Sequence, residues 1–243
     1  MIFVTGATGL LGNSVLRELC ARGEQARVLC RPNSDRGPLE GLDVEIVEGD
    51  LEQPETLQGV VEGCSCVIHC AAYIHLGWRN VDVSRAINVE ATRQLAQACH
   101  RNRGRLLHIS TVDTLMGAVD IDNPISETST NGVPLVPCAY VISKTEAENA
   151  VRKLIAEEGL DAVILNPGFM LGPYDWKPSS GRMMLEVNRS PVLAAPPGGC
   201  SVCDTRDVSR AIANAVHLGV RGENYILAGK NITYAELWAK MLE

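Results

Sequence analysis

Tyr140 and Lys144 stand four residues apart in Tyr140-Val-Ile-Ser-Lys144, at the start of a stretch whose pattern predicts a helix reaching Glu158. Four residues is about one helical turn, so both side chains leave the same face. A phenol is too weak an acid or base at neutral pH unless its ionised form is stabilised, and a neighbouring ammonium does that. The pair therefore suits proton transfer to or from a substrate oxygen, with Tyr140 carrying the proton and Lys144 as its electrostatic partner. A hydroxyl must hold that oxygen, and Ser110-Thr111 offers two at the end of the apolar run Leu106-Leu-His-Ile109. Alone, such a Tyr/Lys pair is most often a helix-surface pair. Its meaning comes from the elements that would position it.

Those elements begin at the amino end, in Met1-Ile-Phe-Val-Thr-Gly-Ala-Thr-Gly-Leu-Leu-Gly12. An apolar β run is followed by Gly6, Gly9 and Gly12 at three-residue spacing, and Leu11, Val15, Leu16 and Leu19 then mark one helical face. Strand, tight turn and helix in that order make a dinucleotide site: glycine lets a diphosphate touch the main chain, and free N–H groups at the helix start meet it. Gly6, Thr8, Gly9, Leu10 and Leu11 are the expected cradle. Gly23 ends the helix and a second strand, Ala26–Cys30, runs into Arg31-Pro-Asn-Ser34. An acidic residue there would hold the ribose 2′-hydroxyl of NAD; Arg31, with Asn33 and Ser34, favours the 2′-phosphate of NADP, with NAD the alternative.

A third strand, Val44–Val47, ends in Gly49-Asp50-Leu51, where Asp50 either accepts from the adenine amino group or caps a turn. Pro54 to Val61 resembles a short crossover helix. A fourth strand, Cys66–Cys70, leads to Ala71-Ala72, small enough for ribose and nicotinamide to lie against the backbone, and Lys144 can reach that ribose. A long helix is expected from Val83 to Arg103, a polar loop from Asp120 to Pro137, and a sixth strand, Ala162–Leu165, ending in Asn166-Pro-Gly168. The fold class is α/β: a Rossmann-type doubly wound parallel sheet over residues 1–168, with a small substrate lobe over 169–243. In that lobe Met183–Val187 is a short helix, Pro191 to Gly199 is irregular, Asp207 caps a helix from Val208 to Leu218, and Thr233 with Glu236 forms a capping box. Trp176, Met183 and Met184 are candidates for the substrate pocket. His69 and His75 lack an acid partner and read as structural.

Taken together, Thr5-Gly-Ala-Thr-Gly-Leu-Leu-Gly12, Gly49-Asp50-Leu51, His69-Cys-Ala-Ala72, Asn88-Val-Glu-Ala-Thr92, Ser110-Thr111, Tyr140-Val-Ile-Ser-Lys144 and Asn166-Pro-Gly-Phe-Met-Leu-Gly-Pro173 resemble the extended short-chain dehydrogenase/reductase superfamily, its NAD(P)-dependent epimerase/dehydratase group. The chain looks most like the dihydroflavonol 4-reductase-like branch. That resemblance implies Thr111 as the catalytic hydroxyl beside Tyr140 and Lys144, Asp50 at the adenine, Asn166, Pro167 and Gly168 beside the carboxamide, and a possible homodimer through the two long helices. Sugar-nucleotide dehydratases carry Asp-Glu directly after the catalytic Thr; Val112-Asp113 stands here, which argues against their elimination chemistry. The chain ends soon after Trp238, earlier than such relatives usually do, so the expected substrate lobe is partial. The expected activity is NADP-dependent transfer of hydride to or from a small carbonyl or alcohol substrate. The alternatives are a nucleotide-sugar epimerase and a non-catalytic cofactor-binding regulator.

Composition sets the outer bounds. The 243 residues carry a net charge of −7 and no Lys/Arg run, against nucleic acid or an anionic membrane as the main partner. No apolar stretch approaches membrane-spanning length, and the amino end lacks the basic region and continuous apolar run of a signal peptide, so the expected location is cytoplasmic. The nine cysteines fall largely in expected strands and helices, where reduced buried thiols are the better account than disulfides; no metal site is expected.

Overall fold

The computed structural model describes residues 1–57, 59–115, 124–129, 138–189 and 194–243. Most of the loop expected over Asp120 to Pro137, Gln58 of the expected crossover helix and Pro191 lie outside the described residues. In chain order the elements are β1 (Ile2–Thr5), α1 (Leu10–Ala21), β2 (Ala26–Cys30), β3 (Glu45–Glu48), β4 (Cys66–His69), α2 (Val81–Arg85), α3 (Ala91–Arg101), β5 (Arg105–Ile109) and α4 (Ala139–Glu157). There follow β6 (Ala162–Pro167), β7 (Phe169–Leu171), α5 (Gly181–Arg189), β8 (Gly199–Asp204), α6 (Thr205–Leu218), β9 (Asn224–Leu227), β10 (Lys230–Thr233) and α7 (Tyr234–Met241).

Seven strands form one parallel sheet in the order β3-β2-β1-β4-β5-β6-β9. Strand alternation explains why it is covered on both faces. Ile2 and Val4 of β1 enter one core, with Val28, Leu107, Val163 and Leu165, against Val15, Leu16 and Leu19 of α1 and Val208, Ile212 and Val216 of α6. Phe3 enters the other, with Leu29, Leu106 and Ile164, against Leu95 and Cys99 of α3 and Val151 and Leu154 of α4. The strand order reverses between β1 and β4, and such a reversal opens a crevice at the carboxyl ends of the strands.

Several expectations are corrected. Among the described residues of the expected crossover helix, Pro54–Leu57 alone is helical, as a 3-10 turn. The long helix begins at Val81 and is broken by a single π turn at Ala86–Glu90. The side chain that caps α6 is Asp204, accepting from Arg206 N at 2.8 Å, whereas Asp207 lies inside the first turn and pairs with Arg210. After residue 168 the sequence reading contains no strands, yet β7, β8 and β10 form a second sheet of three strands. α6 and β9 meanwhile return to the main sheet, with Ser14 of α1 donating to Ser209 of α6 at 3.2 Å. The Thr233/Glu236 capping box at α7 is present in both directions, at 3.0 and 3.2 Å. All nine cysteines are free.

Candidate active site

The glycine loop is shaped by steric necessity at two positions. Gly6 has φ +71°, and a Cβ on Gly12 would lie 2.2 Å from the Gly6 carbonyl oxygen, so α1 can start this close to the strand only without a side chain there. Gly9 is the N-cap of α1 and offers no side chain to its first turn, which holds no acidic residue. The first N–H groups of the helix are therefore left for a ligand, at the positive end of the helix dipole. They face a cleft of about 460 Å³, within the size range of small-molecule sites.

That cleft gathers residues distant in sequence. Gly6, Thr8, Gly9, Leu10 and Leu11 line one part, Arg31, Asp50 and Leu51 another, and Ala71, Ala72, Tyr140 and Lys144 a third. Ser110 and Met170 complete the wall near Tyr140, together with Tyr73 and Ile74. The carboxylate of Asp50 accepts from Glu52 N at 3.1 Å, so it caps a turn while facing the cleft. Trp176 and Met184 are more than two-fifths exposed, and neither lines the cleft. Met170, on the overlooked strand β7, is the methionine that does.

Backbone groups and buried polar side chains fix the wall. Ala71 N donates to Thr5 Oγ1 at 3.2 Å, and the same oxygen lies 2.7 Å from His69 Nδ1, which accepts the Thr5 proton if the neutral ring carries its own on Nε2. Thr92 donates to the Asn88 carbonyl at 2.6 Å, so His69 Nε2 is the donor in its 3.0 Å contact with Thr92. His69 is thus neutral with its proton on Nε2, consistent with a pKa pulled down to about 3 by burial and by the charge of Lys144. It is structural, as its sequence context suggests. The π turn directs Asn88 to bridge: it accepts from Tyr73 N at 2.7 Å and donates to Tyr73 O and to Ser143 Oγ. At the amino end of α4, Ala139 N and Tyr140 N donate to the carbonyls of Gly77 and His75, at 2.9 and 3.1 Å. The loop after β4 thereby holds the helix start that presents Tyr140.

α4 carries a stripe at four-residue spacing: Tyr140, Lys144, Glu148 and Arg152. Lys144 is 2 % exposed and donates from Nζ to the Ile109 carbonyl at 2.6 Å. Burial pulls its pKa down to about 8, opposed by Glu148 and Cys70. Burial, then the negative charges of Asp113 and Cys138, push the Tyr140 phenol up. Lys144, expected from spacing to stabilise the phenolate, is not among the groups that shift the Tyr140 phenol here, and its ammonium donates to the strand carbonyl. Tyr140 is a neutral phenol, suited to giving a proton.

Glu148 is the buried group that sequence reading missed. Desolvation acts to raise its pKa, but the hydrogen bonds of Ser110, Arg152 and Thr114 outweigh it, and the carboxylate stays ionised. Ser110 and Thr114 donate to it at 2.7 and 2.8 Å. Asn166, also fully buried, turns its Nδ2 to Glu148 at 3.1 Å and to the Thr111 carbonyl at 2.9 Å. Asn166, Pro167 and Gly168 do not line the cleft. Asn166 instead ties the ends of β5 and β6 together from behind. Thr111 is not on the cleft wall either; its hydroxyl donates to Asp113 Oδ2 at 3.0 Å. Asp113 keeps exposed surface in a recess where desolvation pushes its carboxyl up. Ser110 is committed to a buried carboxylate, whereas the Thr111 contact is to a group that solvent reaches and can be exchanged.

The lowered pKa of Lys144 has a measurable consequence. Between about 8 and the ordinary 10.5 the unfolded chain binds the proton that the folded chain has released, so this residue's contribution to stability rises with pH across that window. The stability of the unsubstituted protein minus that of Lys144→Met is expected to increase from pH 7.5 to pH 10, by on the order of 1–3 kcal/mol. Urea unfolding at several pH values measures it, and a flat difference would show that the ammonium is not buried.

These features meet in comparisons with known proteins. The sequence profile of the NAD dependent epimerase/dehydratase family matches residues 2–216, and the chain belongs to that family. It is an enzyme of the extended short-chain dehydrogenase/reductase type. Sterol demethylase protein B of Methylococcus capsulatus is 35% identical over 239 residues, 96% of this chain and 71% of that protein. A Synechocystis protein provisionally named dihydroflavonol 4-reductase is 32% identical over 246 residues, 98% of this chain and 71% of that protein. Among solved structures, gox2253 superposes with a TM-score of 0.86 at 34% identity, covering 99% of this chain and 73% of that one. The dTDP-glucose 4,6-dehydratase DesIV of Streptomyces venezuelae, solved with NAD and TYD bound, gives 0.87 at 25% identity, covering 99% and 80%. No helix among the described residues is long and apolar enough to cross a membrane. Nor do three His, Cys, Asp or Glu side chains converge among them as a metal site.

Proposed function

We propose that the chain is an NADP-dependent oxidoreductase that moves a hydride between nicotinamide and a carbonyl or secondary alcohol carbon, as a dihydroflavonol-reductase-like enzyme. One observation carries this: Tyr140 and Lys144 line the same cleft as the glycine loop of α1. Gly6, Thr8, Gly9, Leu10 and Leu11 would hold the diphosphate, Arg31 the 2′-phosphate, Asp50 and Leu51 the adenine side, and Ala71, Ala72 and Lys144 the nicotinamide half. When bound, the cofactor supplies or accepts the hydride. The chain's own residues do the rest: Tyr140, a neutral phenol, gives its proton to the oxygen as the carbonyl carbon is reduced, and Thr111 orients that oxygen. Lys144 then supports the phenolate left behind, by moving from the Ile109 carbonyl.

A cytoplasmic location fits nine free thiols. A homodimer through α2–α3 and α4 belongs to the same proposal, supported by Val83, which is exposed on α2. The test uses NADPH deuterated at C4 with a panel of aldehydes and ketones. Deuterium is expected at the carbinol carbon, with one NADPH consumed per product. Interconversion of a nucleotide sugar without net NADPH consumption would favour the epimerase alternative. Binding with no turnover on any substrate tested would favour a regulator.

A further inference from the structure

The cofactor cleft does not end at Arg31. It continues into a second cavity of about 540 Å³ lined by the turn after β2, the turn after β3 and one residue of the second lobe, Lys177. Arg31, Ser34, Gly49, Asp50 and Lys177 border both spaces, so they mark the passage between them. Resting on the NADP reading above, we infer that Lys177 supplies a second cation for the cofactor's 2′-phosphate, opposite Arg31, so that this phosphate joins the second lobe to the nucleotide-binding sheet.

Lys177 is carried by a strap running from β7 to α5, and the strap is held at both ends. At one end the Tyr174 ring lies under the Arg17 guanidinium of α1, 4.1 Å from ring centroid to carbon, with Tyr174 itself at φ +69°. At the other, the Asp175 carboxylate accepts from Ser179 N and Gly181 N, at 3.1 and 3.0 Å, and closes the turn that starts α5. Lys177 sits between these anchors at the mouth of the passage, and Ser179 and Ser180 line the cleft beside it. Of the acidic groups at this end, Glu48 pairs with Arg36, Asp50 caps a turn by accepting from Glu52 N, and Glu52 lines the cleft. Among the described residues neither Arg31 nor Lys177 has an ion pair, so two cations without a paired carboxylate border the same cavity. A phosphate monoester carries close to two negative charges at neutral pH and matches that arrangement, whereas the 2′-hydroxyl of NAD offers nothing for a second cation.

The experiment is calorimetric titration of the full chain with NADPH and NADH, for the unsubstituted protein, Lys177→Ala, Lys177→Arg and Arg31→Ala. The unsubstituted protein should prefer NADPH. Lys177→Ala should weaken NADPH roughly three- to fivefold and leave NADH within about twofold, with Lys177→Arg restoring the loss, the upper end of the scale for one exposed charge contact. Hydrogen exchange across residues 174–181 should slow more with saturating NADPH than with saturating NADH. If NADPH is preferred and Arg31→Ala removes the preference while Lys177→Ala changes nothing, or weakens both cofactors alike, the role of Lys177 is overturned and the NADP reading stands. If the unsubstituted protein binds NADH as tightly as NADPH, the NADP reading fails and the role of Lys177 with it.

Discussion

Replacing Tyr140 by phenylalanine is expected to lower turnover by about 10²- to 10⁴-fold, the usual contribution of a positioned acid, while NADPH affinity changes by less than about threefold. The phenol and the glycine loop both line the cleft, and on the proposed reading the first meets the substrate and the second the diphosphate, so the two effects should separate. Because burial and Asp113 favour the neutral phenol, the function expected to be lost is proton donation; the bond from Tyr140 N to the His75 carbonyl does not depend on the hydroxyl and remains. Steady-state kinetics with the ketone identified by deuterium transfer, together with calorimetry for NADPH, measures both quantities. Turnover retained in Tyr140→Phe would remove Tyr140 from the chemistry.

Gly12→Ala should have an effect of comparable size on binding. Alanine gains up to about 1 kcal/mol in helix propensity. Against that, its Cβ would meet the Gly6 carbonyl oxygen at 2.2 Å and the Gly6 carbon at 2.6 Å, both backbone atoms that no rotamer change can move. The loop must open, costing about 1–3 kcal/mol by the precedent of overpacked interiors and moving the N–H groups that meet the diphosphate. The expected result is a melting temperature several degrees lower, on the scale of about 2–4 °C per kcal/mol for a chain of this size, and NADPH affinity reduced at least about tenfold. Gly23→Ala is the control. It lies at positive φ, +75°, where alanine is strained, but a Cβ there meets nothing within 4 Å, so it should cost stability and leave binding intact. Equal loss of affinity in both variants would mean that Gly12 matters only for folding.

Local signals made much of this legible. Apart from β3, which begins and ends in glutamate, the strands of the main sheet up to β6 are largely apolar runs, and the Thr233/Glu236 box declares its helix in four residues. The glycine spacing located the cleft, and Tyr140 with Lys144 fell on its wall. What stayed hidden depends on contacts distant in sequence. β7 is three residues long, and β8 begins at Gly199, the last residue of the stretch expected to be irregular. The π turn has no sequence signature; it holds Asn88, whose bonds to Tyr73 and Ser143 join segments distant in sequence. Glu148 reads as a solvated helix-face charge until Ser110, Thr114 and Asn166 close around it. Asp204 and Asp207 are both chemically able to cap α6, and only the path of β8 decides between them. Asn166 next to Pro167 looked like a cofactor contact, yet the sheet buries it.

The account depends most directly on the cleft between α1 and α4 receiving a pyridine dinucleotide. Isothermal titration of the unsubstituted protein with NADPH and with NADH tests this without knowledge of the substrate. Saturable one-site binding is predicted, in the range of about 1 μM to 1 mM usual for enzyme ligands, tighter for NADPH. No heat of binding and no fluorescence change with either coenzyme would contradict it.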